Sequence, residues 1–165
     1  MEINTLVKLS AIQLAIRAGI AGGAATWIAM RLALEHPVYA FIAAVIATDL
    51  SAAQSRKLGL RRIFATAIGG ICAAGLSQVL GPGSSAVGLA VFVAMVVGSL
   101  LGAGEGTRVA GFICGIVILE HSSEPWLYGA QRFVETALGV LVAWGVSFLP
   151  RFINKDENQD TPTLD

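Results

Sequence analysis

Two arginines set seventy residues apart head the chemistry available to this chain. Arg62 opens the pattern Arg-x-x-x-Thr-x-x-Gly, and Arg132 opens it again. Helical spacing puts Arg62, Thr66, Gly69, Ala73 and Ser77 on one face, and Arg132, Thr136, Gly139, Ala143 and Ser147 on another. A guanidinium fork meets a carboxylate through two hydrogen bonds, so an arginine heading a polar seam suits an organic anion. The same pattern also describes a packing seam of small residues, with arginines snorkelling to an interface. Both readings fit the residues.

The acids come next. Asp49 and Glu120 end apolar runs at nearly equivalent places, one residue out of register. Glu135 follows Arg132 at i+3, where a local ion pair can form. Asp49, Glu120 and Glu135 are candidates for coupling or gating, and equally for helix-end acids or structural partners. Arg17 interrupts the first apolar run, toward the same end as Asp49, so these two can pair. A charge at a bilayer centre costs at least ~2.5–3.5 kcal/mol on insertion scales, so such residues pair or line water. The pathway candidates are therefore Arg17, Arg62, Thr66, Arg132 and Thr136.

Other chemistry has little to stand on. His36 and His121 lack metal-ligand spacing, and Cys72 and Cys114 sit within apolar segments, so neither a disulfide framework nor a metal site is implied. No nucleotide-binding loop, nucleophile elbow or HExxH motif occurs. Gly102-Ala103-Gly104-Glu105-Gly106 has no strand before it and is no phosphate loop. Neither an enzyme nor a cofactor is expected.

The elements that must position these residues follow from composition. Hydrophobic residues make up 55% of the 165 residues and charged residues 13%, against about 25% charged in a soluble domain. A soluble chain this small could not cover so much apolar surface. The net charge is +0, so no global field argues for nucleic acid. The first apolar stretch is too long for a signal-peptide core and reads as a retained span.

Six apolar segments can be marked, at 12–34, 38–53, 63–80, 86–103, 109–119 and 133–149. Pro37 starts the second, the Gly81-Pro82-Gly83-Ser84-Ser85 cluster ends the third, and Pro150 stops the sixth. Runs this continuous cross lipid only as helices. Segments two and five are short of the ~20 residues a full crossing needs. Segments 62–77 and 132–147 are two copies of one sequence, identical at seven of sixteen positions. An odd number of crossings separates them, so the copies face opposite ways: a 3+3 inverted-topology repeat, with Glu35 falling on Glu105. Arg56, Lys57, Arg61 and Arg62 in one connection, with Lys8, Arg151 and Lys155 at the ends, place both termini in the cytoplasm. The expected chain is an all-α integral membrane protein with six transmembrane helices over residues 1–153. Its halves are 10–80 and 84–150, and a polar disordered cytoplasmic tail follows at 154–165.

The run from His36 through Ile46, the basic stretch Ser55-Arg56-Lys57-Leu58-Gly59-Leu60-Arg61-Arg62 leading into Arg-x-x-x-Thr-x-x-Gly, and the second copy at Arg132 resemble the membrane half of the fusaric acid resistance and aromatic acid exporter family. The resemblance covers roughly residues 10–150. It implies a six-helix bundle in the cytoplasmic membrane that exports aromatic or other organic acids. Family members commonly continue into a cytoplasmic domain, which this chain, ending at Asp165, lacks. The resemblance therefore suggests a homo-oligomer, or a subunit served by a separate partner protein. Two functions are carried forward: a transporter or channel for small organic anions, and a non-transporting membrane subunit that scaffolds a larger complex.

Overall fold

The computed structural model describes residues 2–80, 83–120 and 124–149, with side chains from residue 9 onward and none at 120. Gly81, Pro82, His121, Pro150, Arg151, Lys155 and the tail at 154–165 lie outside the described residues, as do the side chains of Lys8 and Glu120. Six α-helices account for nearly all of the rest: α1 (Glu2–Arg31), α2 (Pro37–Ala47), α3 (Ala52–Leu76), α4 (Ser84–Leu100), α5 (Thr107–Glu120) and α6 (Pro125–Ser147). A single 3-10 turn at Gly104–Gly106 precedes α5. Pro37 and Pro125 occupy first-turn positions, where the missing N–H costs nothing.

Helix starts differ from those expected. The basic stretch holding Arg56, Lys57, Arg61 and Arg62 is not a connection but the first part of α3, which begins at Ala52. Between Ala52 and Ile63 there is no proline, and alanine, arginine, lysine and leucine favour a helix strongly enough to carry it through Gly59. Similarly, α6 begins at Pro125 rather than near Phe133. Neither arginine therefore sits at a helix mouth. Arg62 lies ten residues into α3 and Arg132 seven into α6, about 15 Å and about 10 Å along their axes. The second segment ends earlier than expected, because Thr48 turns to extended backbone and closes α2 at Ala47.

At several helix contacts one backbone comes directly against another. A Cβ on Gly69 would overlap the Ala110 carbonyl oxygen, and one on Gly139 would overlap the Ala40 carbonyl oxygen. The α3–α6 seam pairs Gly59 with Val140 and Gly70 with Gly129, and Trp144 Nε1 donates to the Ser55 carbonyl at 3.3 Å. One residue number rises as the other falls, so α3 and α6 run antiparallel.

These contacts recur under a seventy-residue shift. Gly69 on Ala110 becomes Gly139 on Ala40, and Gly59 on Val140 becomes Gly129 on Gly70. The ion pair of Arg61 with Glu105 at 3.9 Å becomes the Gln131–Glu35 hydrogen bond at 2.5 Å. At the level of helices, α1 packs on α2 as α4 does on α5, and α2 packs on α6 as α5 does on α3.

The interior is built from alanine: Ala21, Ala25 and Ala29 of α1 meet Ala40 and Ala44 of α2, and Ala86, Ala90 and Ala94 of α4 pack near Cys114 and Val117 of α5. Large apolar side chains point outward instead, among them Ile12, Ile16, Trp27, Phe92, Leu119 and Leu141, while Arg17, Arg62, Arg132 and Glu135 are buried. That is the reverse of a water-soluble fold. Two helical stretches, Leu9–Arg31 and Ala52–Leu76, are long and apolar enough to cross a membrane, and α2 and α4 are shorter apolar helices.

The close approach sets an expected outcome. Gly139→Ala places a methyl group against Ala40 oxygen, 2.8 Å from Ala43 Cβ and 2.9 Å from Ala44 N. It should lower stability by about 1–3 kcal/mol, as overpacking does. Gly145→Ala, which meets open space, should be neutral or slightly stabilising. Unfolding midpoints of the detergent-solubilised protein report both.

Candidate functional site

The second arginine sits in a cage. Arg132 is 1% exposed, and its guanidinium carbon lies 3.5 Å from the ring centre of Tyr39 and 4.6 Å from that of Tyr128. Such stacking offers a desolvated cation the negative faces of two rings. The tyrosine hydroxyls meet at 3.2 Å, and the His36 ring packs edge-on to both rings. Arg132 Nη2 lies 2.7 Å from Glu135 Oε2, the i+3 pair anticipated from spacing. The contact neutralises charge, but its geometry is not that of an aligned hydrogen bond. Nε and Nη1 of Arg132 have no hydrogen-bond partner among the described residues. The other oxygen of Glu135 is fixed: His36 N–H donates to Oε1 at 2.8 Å.

Beside the pair opens a cavity of about 520 Å³, lined by Ala33, Leu34, Glu35, Ala130, Gln131, Val134 and Glu135. Its size falls within the range of small-ligand pockets. Glu135 is the side chain that both lines this cavity and holds Arg132.

Arg62 has the corresponding place on α3 and a different environment. A seventy-residue shift puts Gly106 where His36 stands, Val109 for Tyr39, Leu58 for Tyr128 and Ala65 for Glu135. Neither acid nor ring faces it from those positions. Arg62 is 5% exposed, its Nε lacks a hydrogen-bond partner, and it makes no ion pair among the described residues.

The remaining candidates have local duties. Arg17 does not pair with Asp49. Its Nη1 donates to the Leu50 carbonyl at 3.2 Å, and its Nη2 donates to that of Leu149. These carbonyls lie just past the ends of α2 and α6, where a cation also meets the negative end of each helix dipole. Asp49 instead accepts from Ser51 N–H at 2.9 Å, and its own N–H donates to Ser55 Oγ at 2.8 Å, ordering the entry to α3. Thr66 donates back to the Arg62 carbonyl at 2.9 Å and lines a second cavity of about 330 Å³ with Gly70, Gly129 and Phe133. Thr136 is buried on α6. The structure thus joins Arg132 with Glu135 and leaves Arg17, Arg62 and Asp49 apart from them. Sequence reasoning missed Tyr39 and Tyr128. They are the chain's only two tyrosines, and with α6 begun at Pro125 the spacing of Tyr128, Arg132 and Glu135 puts all three on one face.

A family model described as aromatic acid exporter family member 1 matches residues 12–149. This is the family that the basic stretch and the two Arg-x-x-x-Thr-x-x-Gly segments resemble. No curated protein and no solved structure matches the chain.

Arg17 provides the test of the helix-end contacts. Arg17→Met removes two charged hydrogen bonds that tie α1 to the ends of α2 and α6. It should cost about 1.5–3 kcal/mol, the range for bonds to a charged group. Arg17→Lys should recover only part, because a point charge replaces a fork that reaches two carbonyls. Denaturation midpoints of the purified protein give the comparison.

Proposed function

The chain belongs to the aromatic acid exporter family, and from that premise we propose that it carries aromatic or other small organic acids across the cytoplasmic membrane as a secondary transporter or channel. The observation that carries the reading is Arg62: a buried arginine with no ion pair among the described residues. A lone cation in such an interior is costly, and it marks a substrate path where an anion supplies the missing charge. Arg132 provides the second anion contact, Thr66 and Thr136 belong to the same two seams, and Asp49, Glu120 and Glu135 are the coupling or gating acids. Arg17 joins the pathway residues through its place at the ends of α2 and α6.

In this reading all six helices cross the membrane as a 3+3 inverted repeat over residues 1–153, with both termini and the tail at 154–165 in the cytoplasm. Three observations support it. The repeated helices α3 and α6 lie side by side and antiparallel. The packing survives exchange of the first three helices for the last three. And α2 and α5, at corresponding places, have 11 and 14 residues, about 16 and 21 Å, so each completes its crossing of a ~30 Å hydrocarbon layer with the non-helical backbone beside it. Paired short helices are where such repeats bind substrate. Gly19 and Gly23 are exposed on α1, a spacing suited to helix pairing in lipid, which supports the reading of the protein as a homo-oligomer.

Arg62→Met separates a functional from a structural arginine. Removing an uncompensated charge should raise the unfolding free energy by about 1–3 kcal/mol. The initial rate of benzoate flux in proteoliposomes should fall at least about tenfold, the loss of a single charged contact. A destabilised variant with unchanged flux refutes the assignment. Absent flux in the wild type, with a fixed protein partner at every purification, favours the scaffold subunit instead. For topology, Cys72 and Cys114 are first replaced by alanine. An impermeant maleimide should then label Gln131→Cys in intact cells, and Lys57→Cys only once the membrane is opened.

A further inference from the structure

We propose that Glu135 is a proton-operated plug on a carboxylate site made by Arg132 and the adjoining 520 Å³ cavity. The proposal rests on the transport reading above and gives it a ligand site and a coupling step. The cavity is walled by Ala33, Leu34, Ala130 and Val134, which suit an apolar body such as a single aromatic ring. Its polar lining includes Glu135, whose carboxylate lies 2.7 Å from Arg132. The cation lies over the rings of Tyr39 and Tyr128 and its charge is met by Glu135, yet Nε and Nη1 carry donors with no partner among the described residues. A guanidinium held in this way is pre-positioned for a carboxylate and occupied by one from its own helix.

The exchange balances. A proton from the water-facing cavity adds to Oε2 of Glu135, and the Arg132–Glu135 ion pair is released. The ligand carboxylate then takes the vacated place on Arg132. Oε1 keeps the hydrogen bond from His36 N–H, about which the neutral acid turns its Oε2 away from Arg132 and makes room for the ligand. Before the exchange the buried charges are one guanidinium and one carboxylate, and afterwards they are the same. No net charge is added to an apolar interior, which is what makes an anion site tolerable there. The groups facing the pair are Tyr128 on α6, Glu35 and His36 in the connection from α1 to α2, and Tyr39 on α2. Glu35, held by Gln131, lines the same cavity and repels a second negative charge, so an anion entering without a proton is turned away. The place of Glu135 is taken by Ala65 on the other repeat helix, so the plug belongs to one arginine alone.

The test uses para-fluorobenzoate binding to the full chain in nanodiscs, read by fluorine NMR. Wild-type affinity should fall about tenfold per pH unit above the ionisation of Glu135, because one proton is taken up with each ligand. In weakly buffered solution, ligand addition should consume about one proton per site. Glu135→Gln imitates the protonated acid and should bind with a pH-independent affinity at or above the best wild-type value. Arg132→Gln should abolish binding in both backgrounds. Ligand that binds wild type with no proton uptake, or Glu135→Gln with an unchanged pH slope, overturns the plug and leaves the transport reading standing. If neither protein binds at any pH while vesicle flux persists, the site is elsewhere. If flux is missing as well, both readings fall.

Discussion

Direct backbone contact between helices is the constraint from which the rest of this molecule follows. Gly69 meets the Ala110 carbonyl, Gly139 meets that of Ala40, and Gly70 lies against Gly129. Helices this close leave little room for large side chains between them, so alanine dominates the interior beside a few residues such as Ile68, Ile113, Val117, Ile118 and Val140, and many leucine, isoleucine and phenylalanine side chains turn outward. In water that arrangement would forfeit the hydrophobic term. In lipid the outward side chains lose nothing, and tight helix contact supplies the dispersion energy that holds the bundle. The fold and its surroundings are therefore one argument: an alanine core with apolar outer faces suits a membrane and little else.

A thin interior leaves few ways to hold a charge. Arg17 meets its need at helix ends, where carbonyls without helical partners and the dipole both favour a cation. Arg132 meets it with two aromatic faces and a carboxylate three residues along its own helix. Arg62 has neither among the described residues. The three arginines therefore differ in what they can still do. One is spent on carbonyls, one is paired with a carboxylate of its own helix, and one has no ion pair among the described residues.

The repeat was legible because identity at Arg62/Arg132, Thr66/Thr136 and Gly69/Gly139 survives a simple shift, and the same spacing set the packing faces. The Arg132–Glu135 pair was legible for the same local reason. Helix starts were not, because charged residues in a hydropathy reading look like connections, whereas Arg56, Lys57 and Arg61 favour a helix and simply extend α3 toward one end. That error moved both arginines to helix mouths and hid their burial. The cage was beyond reach for a different reason: Tyr39 reaches Arg132 across 93 positions of sequence, and no periodicity reports a contact between α2 and α6. The Arg17–Asp49 pairing failed because opposite charges near one end of a bundle still have to compete with unpartnered backbone, and here carbonyls took the cation while Ser51 took the acid.

The two halves share a scaffold but not an electrostatic plan. Contacts that fix helix positions repeat almost residue for residue: Gly69 on Ala110 and Gly139 on Ala40, Arg61 with Glu105 and Gln131 with Glu35. The groups around the arginines do not repeat, since His36, Tyr39, Tyr128 and Glu135 correspond to Gly106, Val109, Leu58 and Ala65. Had both arginines served only to pack α3 against α6, the scaffold symmetry would extend to their surroundings. Instead, geometry is held constant while charge, aromaticity and hydrogen-bond capacity change at four matched positions. In the transport reading proposed above, an anion moving from one arginine to the other would pass between sites of like backbone geometry and unlike field, one without an internal ion pair and one contested by an internal carboxylate. Under that reading the contested end is where a proton is taken up with the anion, while the direction of net flux is set by the gradients of proton and anion and by the membrane potential, not by the difference between the ends.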